Sequence, residues 1–393
     1  MAKPTSDLPE GMVAEILLRL PVKALLQCKS VCKLWLSIIS NSYFIKSHLH
    51  RAVTASMISP SVLNIECLPP DEDNLAFDVS TVAILSTLDE CTAELQQQRR
   101  RQCRLVNDGP SNLNKQDLSS SLLHFDHIVM PRLFNYFRVI SSYNGIICLA
   151  NYFGSEVYLW NPSIRRCKKL PSFKPFATRS MPIKIGFGYD SITNSYKVFR
   201  IVYEKIFDII PIVQVYSTND DIWRDFQAPI LKNWKIYKQT NIVVNGVMYF
   251  DSGDELISFD LHKEVFGIVP FPNFIQRKGS DILDFEGFVA IVFASVGYGP
   301  GLNLWTLDDV SNKVSWTKRF SIETDSDTNI WLYCYLGAGQ FYGCKLMNGN
   351  IFLYDCDEKK ETKYYELGEE NSTLTLKYTE TLVSLDGFEQ VLE

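Results

Sequence analysis

The sequence predicts an α+β multidomain chain, in which a small N-terminal unit of short helices precedes a much larger all-β repeat domain. Two patterns carry this prediction. Apolar residues recur at helical spacing through the first fifty residues. After about residue 135, strand-like runs closed by polar turns recur at intervals of 56, 43, 45 and 50 residues.

Composition indicates a folded protein without a nucleic-acid or membrane partner. The chain has 393 residues, of which 46% are hydrophobic and 21% charged, too apolar for a disordered chain. Phosphate binding needs a positive surface, whereas the formal net charge is −6. No apolar run reaches about 18 residues, and the first residues lack a signal-peptide core. We therefore expect reduced cysteines and a cytoplasmic or nuclear location, or both.

The helical unit comes first. One apolar stripe, at i, i+3, i+4 and i+7, consists of Val13, Ile16, Leu17 and Leu20. Pro21 is expected to end that helix, and a second is predicted from Val22 to Cys28. Ser30 is expected to cap a third helix and Ser42 a last turn. So few residues make a very small core, so we expect part of its apolar surface to belong to a partner.

The later part of the chain reads as a β-propeller. Its repeat is defined by Trp160, Tyr216, Phe259, Leu304 and Tyr354, each followed by a polar turn and a second strand-like run. Periods of this size with several strands per unit are typical of propellers. Asn-Gly pairs at 144–145, 245–246 and 348–349 predict type I′ hairpin turns. The number of blades is left open.

Three regions follow from these patterns: helices over 1–50, an obscure linker or first-blade region with a polar insertion over 51–135, and the propeller-like domain over 136–393.

The first region resembles the F-box motif. The matching residues are Leu8-Pro9, the block from Glu15 to Lys23, Leu25, the block from Cys28 to Lys33, Trp35, Ile38-Ile39 and Phe44. The later segments resemble the F-box-associated, kelch-like domain of plant F-box proteins. They include 142–149, 159–166, 186–190, 194–198, 244–246, 257–261 and 315–318. The insertion within 51–135 departs from the family pattern.

The resemblance implies a non-catalytic substrate receptor of a ubiquitin ligase. F-box helices of this family dock on a Skp-type adaptor, which holds them to cullin and RING subunits, while the C-terminal domain captures a protein substrate for degradation. The expected adaptor contacts are Leu8, Pro9, Ile16, Leu17, Leu20, Pro21, Val22, Leu25, Val31 and Trp35. Some of these must instead form the unit's own core, and Trp35 is as readily intramolecular as interfacial.

The substrate surface is expected on connecting loops, because loops carry function on rigid scaffolds. Apolar residues in such connections are Phe207, Ile209, Ile210, Phe274 and Trp331. The alternative, that these residues pack between blades, is open and is favoured about three to two by how often such residues are buried.

Three other functions stay open. The chain could be a scaffold that engages the adaptor without promoting degradation. It could also be a pollen S-locus determinant that recognises style ribonucleases, or resemble F-box proteins that govern the turnover of immune receptors. Catalysis has little support, because the five histidines show no complete ligand spacing. No cofactor or metal is expected.

Overall fold

The computed structural model describes residues 8–58, 61–67, 81–87, 126–129, 137–151, 154–173, 184–202, 210–232, 241–253, 255–272, 281–294, 301–310, 313–323, 330–337, 339–345, 350–356, 360–366 and 372–390. Among its helices, none is long and apolar enough to cross a membrane.

Four helices form the N-terminal unit: α1 (Glu10–Leu17), α2 (Val22–Cys28), α3 (Lys33–Ser40) and α4 (Ser42–Ile58). The predicted span of α2 is confirmed. The predicted cap of α3 is wrong, because Cys32 is the N-cap and its Sγ accepts a bond from the Trp35 N–H at 3.5 Å. The predicted short last turn is also wrong, since α4 is 17 residues long and continues past residue 50.

The strands of the remaining described residues build six antiparallel sheets. Five sheets use consecutive strands. They are β4–β7 (Phe137–Tyr143, Ile146–Asn151, Val157–Asn161, Arg166–Lys169), β8–β11 (Lys184–Asp190, Ser195–Val202, Ile212–Ser217, Ile222–Gln227), β12–β15 (Asn241–Val244, Val247–Asp251, Glu255–Asp260, Val265–Pro270), β16–β19 (Asp281–Phe285, Phe288–Ala294, Gly301–Val310, Lys313–Glu323) and β20–β23 (Ile330–Gly337, Gln340–Lys345, Asn350–Asp355, Lys360–Glu366).

The sixth sheet is composite. Its strands are β1 (Ser61–Cys67), β2 (Thr81–Thr87), β3 (Asp126–Val129) and β24 (Ser372–Tyr378), in the order β24-β1-β2-β3. β1 pairs with β24 from Ser61↔Tyr378 to Cys67↔Ser372, a separation of more than three hundred residues. This pairing joins β1, which follows the helices, to β24, which follows the fifth sheet. A last short strand, β25 (Glu389–Gln390), adds to the edge of β7.

The sheets are the blades of a propeller. The inner strand β4 lies against β8 and β24, and β16 lies against β12 and β20, while β20 also lies against β24. Apolar side chains fill the spaces between neighbouring blades. Between the β4–β7 and β8–β11 blades, for example, Phe187, Tyr196, Val198 and Tyr216 pack with Leu159. Burial between blades thus replaces a single central core.

The predicted repeat positions are confirmed. Trp160, Tyr216, Phe259, Leu304 and Tyr354 each lie on the third strand of a blade. All five side chains are buried, between 0% and 7% exposed, because the third strand has neighbours on both sides. The recurring aromatic position therefore records blade spacing.

The turns follow the predicted geometry. Asn144-Gly145 and Asn245-Gly246 have positive φ at both residues, 48° and 75°, and 50° and 76°. This is the type I′ condition. Glu286-Gly287 makes an equivalent turn with φ of 52° and 79°, although it has no Asn-Gly pair to mark it in the sequence. The third pair, at 348–349, lies outside the described residues.

Strand direction gives the propeller two different faces. One face, here called the helix face, carries the connections after first and third strands, such as the Asn144-Gly145 turn and the 3-10 turn Pro162–Ile164. The opposite face carries the connections after second and fourth strands, here called the long-loop face. α2 lies next to Pro162–Ile164, so the helical unit sits on the helix face.

Candidate adaptor and substrate interfaces

The helical unit has a core of its own. Leu17, Val22 and Leu25 are 1%, 1% and 0% exposed, and they pack with buried Ile39 and Phe44. As placed, the first three serve that core and offer almost no surface to a partner. Their predicted contact with an adaptor stays a prediction, and it would require the helices to repack.

Two more predicted residues are intermediate. Leu20 and Trp35 are partly buried against the same core. The Leu20 carbonyl oxygen also lies 3.0 Å from Nε2 of buried His48 on α4, which links the loop after α1 to the longest helix. Both side chains are therefore shared between the core and the surface.

The other predicted adaptor residues are exposed. Leu8, Ile16 and Val31 are 52%, 50% and 63% exposed, and Pro9 and Pro21 are exposed as well. Large apolar side chains left in water are unusual when they occur together, and they mark interaction surfaces. The helical unit therefore has an unsatisfied apolar surface, as its small size predicts.

The sequence reasoning missed part of that surface. Further exposed apolar residues on the helices are Met12, Leu26, Leu34, Leu36 and Tyr43. Helical spacing held the signal for Met12, because it lies four residues before Ile16 and so on the same side of α1. Attention to the buried stripe alone concealed it.

The structure describes two of the five predicted substrate residues, and the expectation that they lie in connecting loops is wrong for Trp331. Ile210 is half-buried just before β10, and Trp331 is the second residue of β20. Phe207, Ile209 and Phe274 lie outside the described residues, in the connections 203–211 and 271–280. By strand direction, those connections and the one preceding Trp331 all begin and end on the long-loop face.

Polar contacts on the helix face join neighbouring blades. Asp190 is 2% exposed. Its Oδ2 lies 3.4 Å from Nζ of Lys197 on the same blade and 3.3 Å from Nδ1 of His262 on the next blade. Lys197 Nζ also lies 2.9 Å from Glu264, which pairs with Arg224 at 2.7 Å. The pairs tie the β8–β11 blade to the β12–β15 blade.

Hydrogen bonds keep the buried carboxylate ionised. Burial opposes the charge of Asp190, but bonds from the Thr193 hydroxyl, the Ile192 and Thr193 N–H groups and His262 outweigh it. Together they lower the pKa of Asp190 to about 2. The network therefore reads as structural.

Metal binding and thiol chemistry have little support among the described residues. Within the described ranges, no group of three or more His, Cys, Asp and Glu side chains could hold a metal ion. Complete burial raises the pKa of the Cys148 thiol far above its usual range, which disfavours a nucleophilic thiolate. Free cysteines are usually buried, but Cys32 is exposed and Cys28 is half-buried.

Comparison with known proteins agrees with this architecture. Residues 5–47 match the F-box domain, and residues 98–374 match the F-box associated beta propeller domain. The F-box/kelch-repeat protein At3g23880 of Arabidopsis thaliana is 25% identical over 339 residues, covering 83% of each chain. The F-box protein At3g07870 of the same plant is 24% identical over 393 residues, covering 88% of this chain and 82% of its own.

The matched ranges coincide with the two structural parts: the F-box match spans α1 to α3 and the start of α4, and the propeller match contains every blade with consecutive strands. The chain belongs to the plant F-box proteins that carry an F-box associated beta propeller domain.

Proposed function

We propose that this chain is the substrate-recognition subunit of an SCF-type E3 ubiquitin ligase. In this role the F-box binds a Skp-type adaptor, which brings cullin and RING subunits, and the propeller binds a protein substrate that is then ubiquitinated and degraded. The chain itself is a receptor without catalysis, and its proposed location is the cytoplasm, the nucleus or both.

The observation that carries the proposal is the exposed apolar surface of the F-box. Leu8, Met12, Ile16 and Val31 are each at least half exposed in a unit whose own core is already filled by Leu25 and its neighbours. Binding energy at interfaces concentrates in a few large side chains that become buried. An adaptor that covers these residues would give them the partner they lack.

Chain direction supports a division of labour between the two faces. The F-box occupies the helix face beside Pro162–Ile164, whereas the connections 203–211, 271–280 and 324–329 leave from the long-loop face. A substrate bound there would not compete with the adaptor for space. The proposed substrate contacts are Phe207, Ile209, Ile210, Phe274 and Trp331.

The test is a pull-down with a purified Skp-type adaptor. Ile16→Glu places a charge in the proposed interface, and Ile192→Glu is its control, because Ile192 is 67% exposed on a propeller turn. We expect Ile16→Glu to lose retention and Ile192→Glu to keep it. Equal retention of both variants, or no retention of the wild type, would refute the adaptor role.

Degradation needs a second measurement. Partners found by proximity labelling should accumulate when the proteasome is inhibited, and more so with the wild type than with Ile16→Glu. Partners whose amounts do not respond would instead favour the non-degradative scaffold.

A further inference from the structure

The segment that begins at the last residue of β24 crosses from the propeller to the F-box. Residues 378–388, here called the strap, contact both parts of the chain. Val383, Leu385 and Phe388 pack against the apolar cluster between the β4–β7 and β8–β11 blades. Leu382, immediately before Val383, is 3% exposed and belongs to the F-box core. Neighbouring residues of one short segment thus serve two different cores.

Asn161 holds the strap on the propeller side. Its side chain is fully buried at the end of β6, and its Nδ2 donates to the Thr381 carbonyl at 3.1 Å and to the Val383 carbonyl at 2.8 Å. Its Oδ1 accepts from the Ser163 N–H at 3.0 Å. The amide group therefore both donates and accepts hydrogen bonds. The two carbonyls that accept from its Nδ2 belong to the residues on either side of Leu382.

Further contacts connect the 3-10 turn Pro162–Ile164 to the strap and to the F-box. The Ser163 hydroxyl lies 2.7 Å from the hydroxyl of Tyr378, which is 1% exposed at the start of the strap. Ile164, on the same 3-10 turn, packs against the F-box core beside Leu382. Burial, followed by the positive charge of Arg166, lowers the pKa of Lys29 at the end of α2. The turn, the strap and the F-box therefore meet at one joint.

We infer that the strap is an internal docking element that fixes the F-box to the propeller, with Asn161 as the positioning residue and Leu382 as the side chain that enters the F-box. The matched propeller family ends at residue 374, before the strap begins. A polar residue inside a blade thereby affects how stably the helices of another domain are folded.

The inference deepens the proposed function without depending on it for its test. Where the chain acts as a ligase receptor, the joint sets the direction in which the long-loop face presents its cargo relative to the adaptor. The coupling itself is a property of the chain alone and can be measured without adaptor or substrate.

The experiment is hydrogen–deuterium exchange on the full chain carrying Asn161→Asp. The aspartate keeps the acceptor for the Ser163 N–H but cannot donate to the two strap carbonyls. Asn151→Asp is the matched control, since Asn151 lies on β5 of the same blade and its side chain bonds to Ser155 and Glu156 of its own turn. We expect Asn161→Asp, and not Asn151→Asp, to speed exchange about ten-fold in both the strap and helices α2 to α4.

Faster exchange in the strap alone would overturn the coupling. Faster exchange throughout the blades β8–β19 would make Asn161 a residue of general stability and would overturn its positioning role. A second pair keeps the inference testable if the buried charge prevents folding. Leu382→Ala should speed exchange in the F-box helices, whereas Leu385→Ala, on the propeller side of the strap, should do so less.

The adaptor pull-down on the same proteins separates the two proposals. A wild type that does not bind the adaptor refutes the ligase role and leaves the exchange result intact. A wild type that binds, together with F-box helices indifferent to both Asn161→Asp and Leu382→Ala, refutes the joint alone.

Discussion

Replacing Gly145 by alanine tests how closely the strap lies against the first consecutive-strand blade. Gly145 is the second residue of the turn between β4 and β5, with φ of 75°. A Cβ at this position would lie 2.3 Å from the Thr379 carbonyl oxygen and 2.3 Å from Thr381 Cγ2. Neither atom is the far end of a flexible side chain, and Thr381 is fully buried. The strap itself must therefore move.

The magnitude follows from two contributions. Left-handed backbone costs alanine about 1 kcal/mol more than glycine. Displacing the strap also breaks the two hydrogen bonds from Asn161 to Thr381 and Val383, worth about 1 kcal/mol each. We therefore expect Gly145→Ala to lower the free energy of unfolding by about 3 kcal/mol.

Gly246→Ala is the matched control. Gly246 has the same place in an Asn-Gly turn and φ of 76°, yet nothing lies within 4 Å of its added Cβ. It should lose only the backbone contribution, about 1 kcal/mol. Urea unfolding followed by tryptophan fluorescence and by far-UV circular dichroism measures both variants. Equal losses at the two glycines would refute the close approach of the strap.

The remaining predictions concern burial and charge at separate places. Leu25→Ala should destabilise the F-box by about 3 kcal/mol and Leu26→Ala by less than about 1, in thermal unfolding, because the neighbours are 0% and 36% exposed. The depressed pKa of Asp190 gives stability that is present above pH 4 and lost as pH falls toward 2. The lowered pKa corresponds to about 2 kcal/mol of stability, and solvent screens it little because Asp190 is buried. Asp190→Asn should flatten that pH dependence, and a mutant as pH-sensitive as the wild type would contradict the assignment. In the native chain at pH 8, iodoacetamide should modify exposed Cys32 and spare Cys148, whose thiol pKa is raised by burial; mass spectrometry showing the reverse would contradict this.

Local patterns predicted the third and fourth strands of the five consecutive-strand blades well. The paired runs around Trp160, Tyr216 and Phe259 are the third and fourth strands of their blades. They were recognisable because a polar turn separates the two apolar runs of each pair. First strands were harder to predict. The β12 strand has four residues, and its apolar run Ile242 to Val244 is too short to show a period.

Long-range arrangements could not be predicted from local pattern. The pairing of β1 with β24 depends on a register between Leu63 and Leu376, and no local pattern records which distant strand is the partner. The strap has no strand or helix pattern at all. Its central residue, Leu382, is one leucine among many until the fold places it in the F-box.

The adaptor contacts of the F-box stay a prediction. The motif spacing placed Leu8, Ile16 and Val31 among them, and the structure leaves these three side chains exposed. Sequence alone could not separate them from Leu17 and Leu25, because both sets fit a helical stripe and burial depends on how the helices pack.

The composite sheet has a consequence for synthesis. The ribosome makes β1 early and β24 only after about three hundred more residues, so the ring stays open while the five consecutive-strand blades emerge. The F-box helices emerge first, yet their core waits for Leu382, which follows β24. Ring closure and the last packing step of the F-box therefore come within a few residues of each other during translation. A nascent chain halted before residue 372 lacks both, so the two domains reach their finished states together.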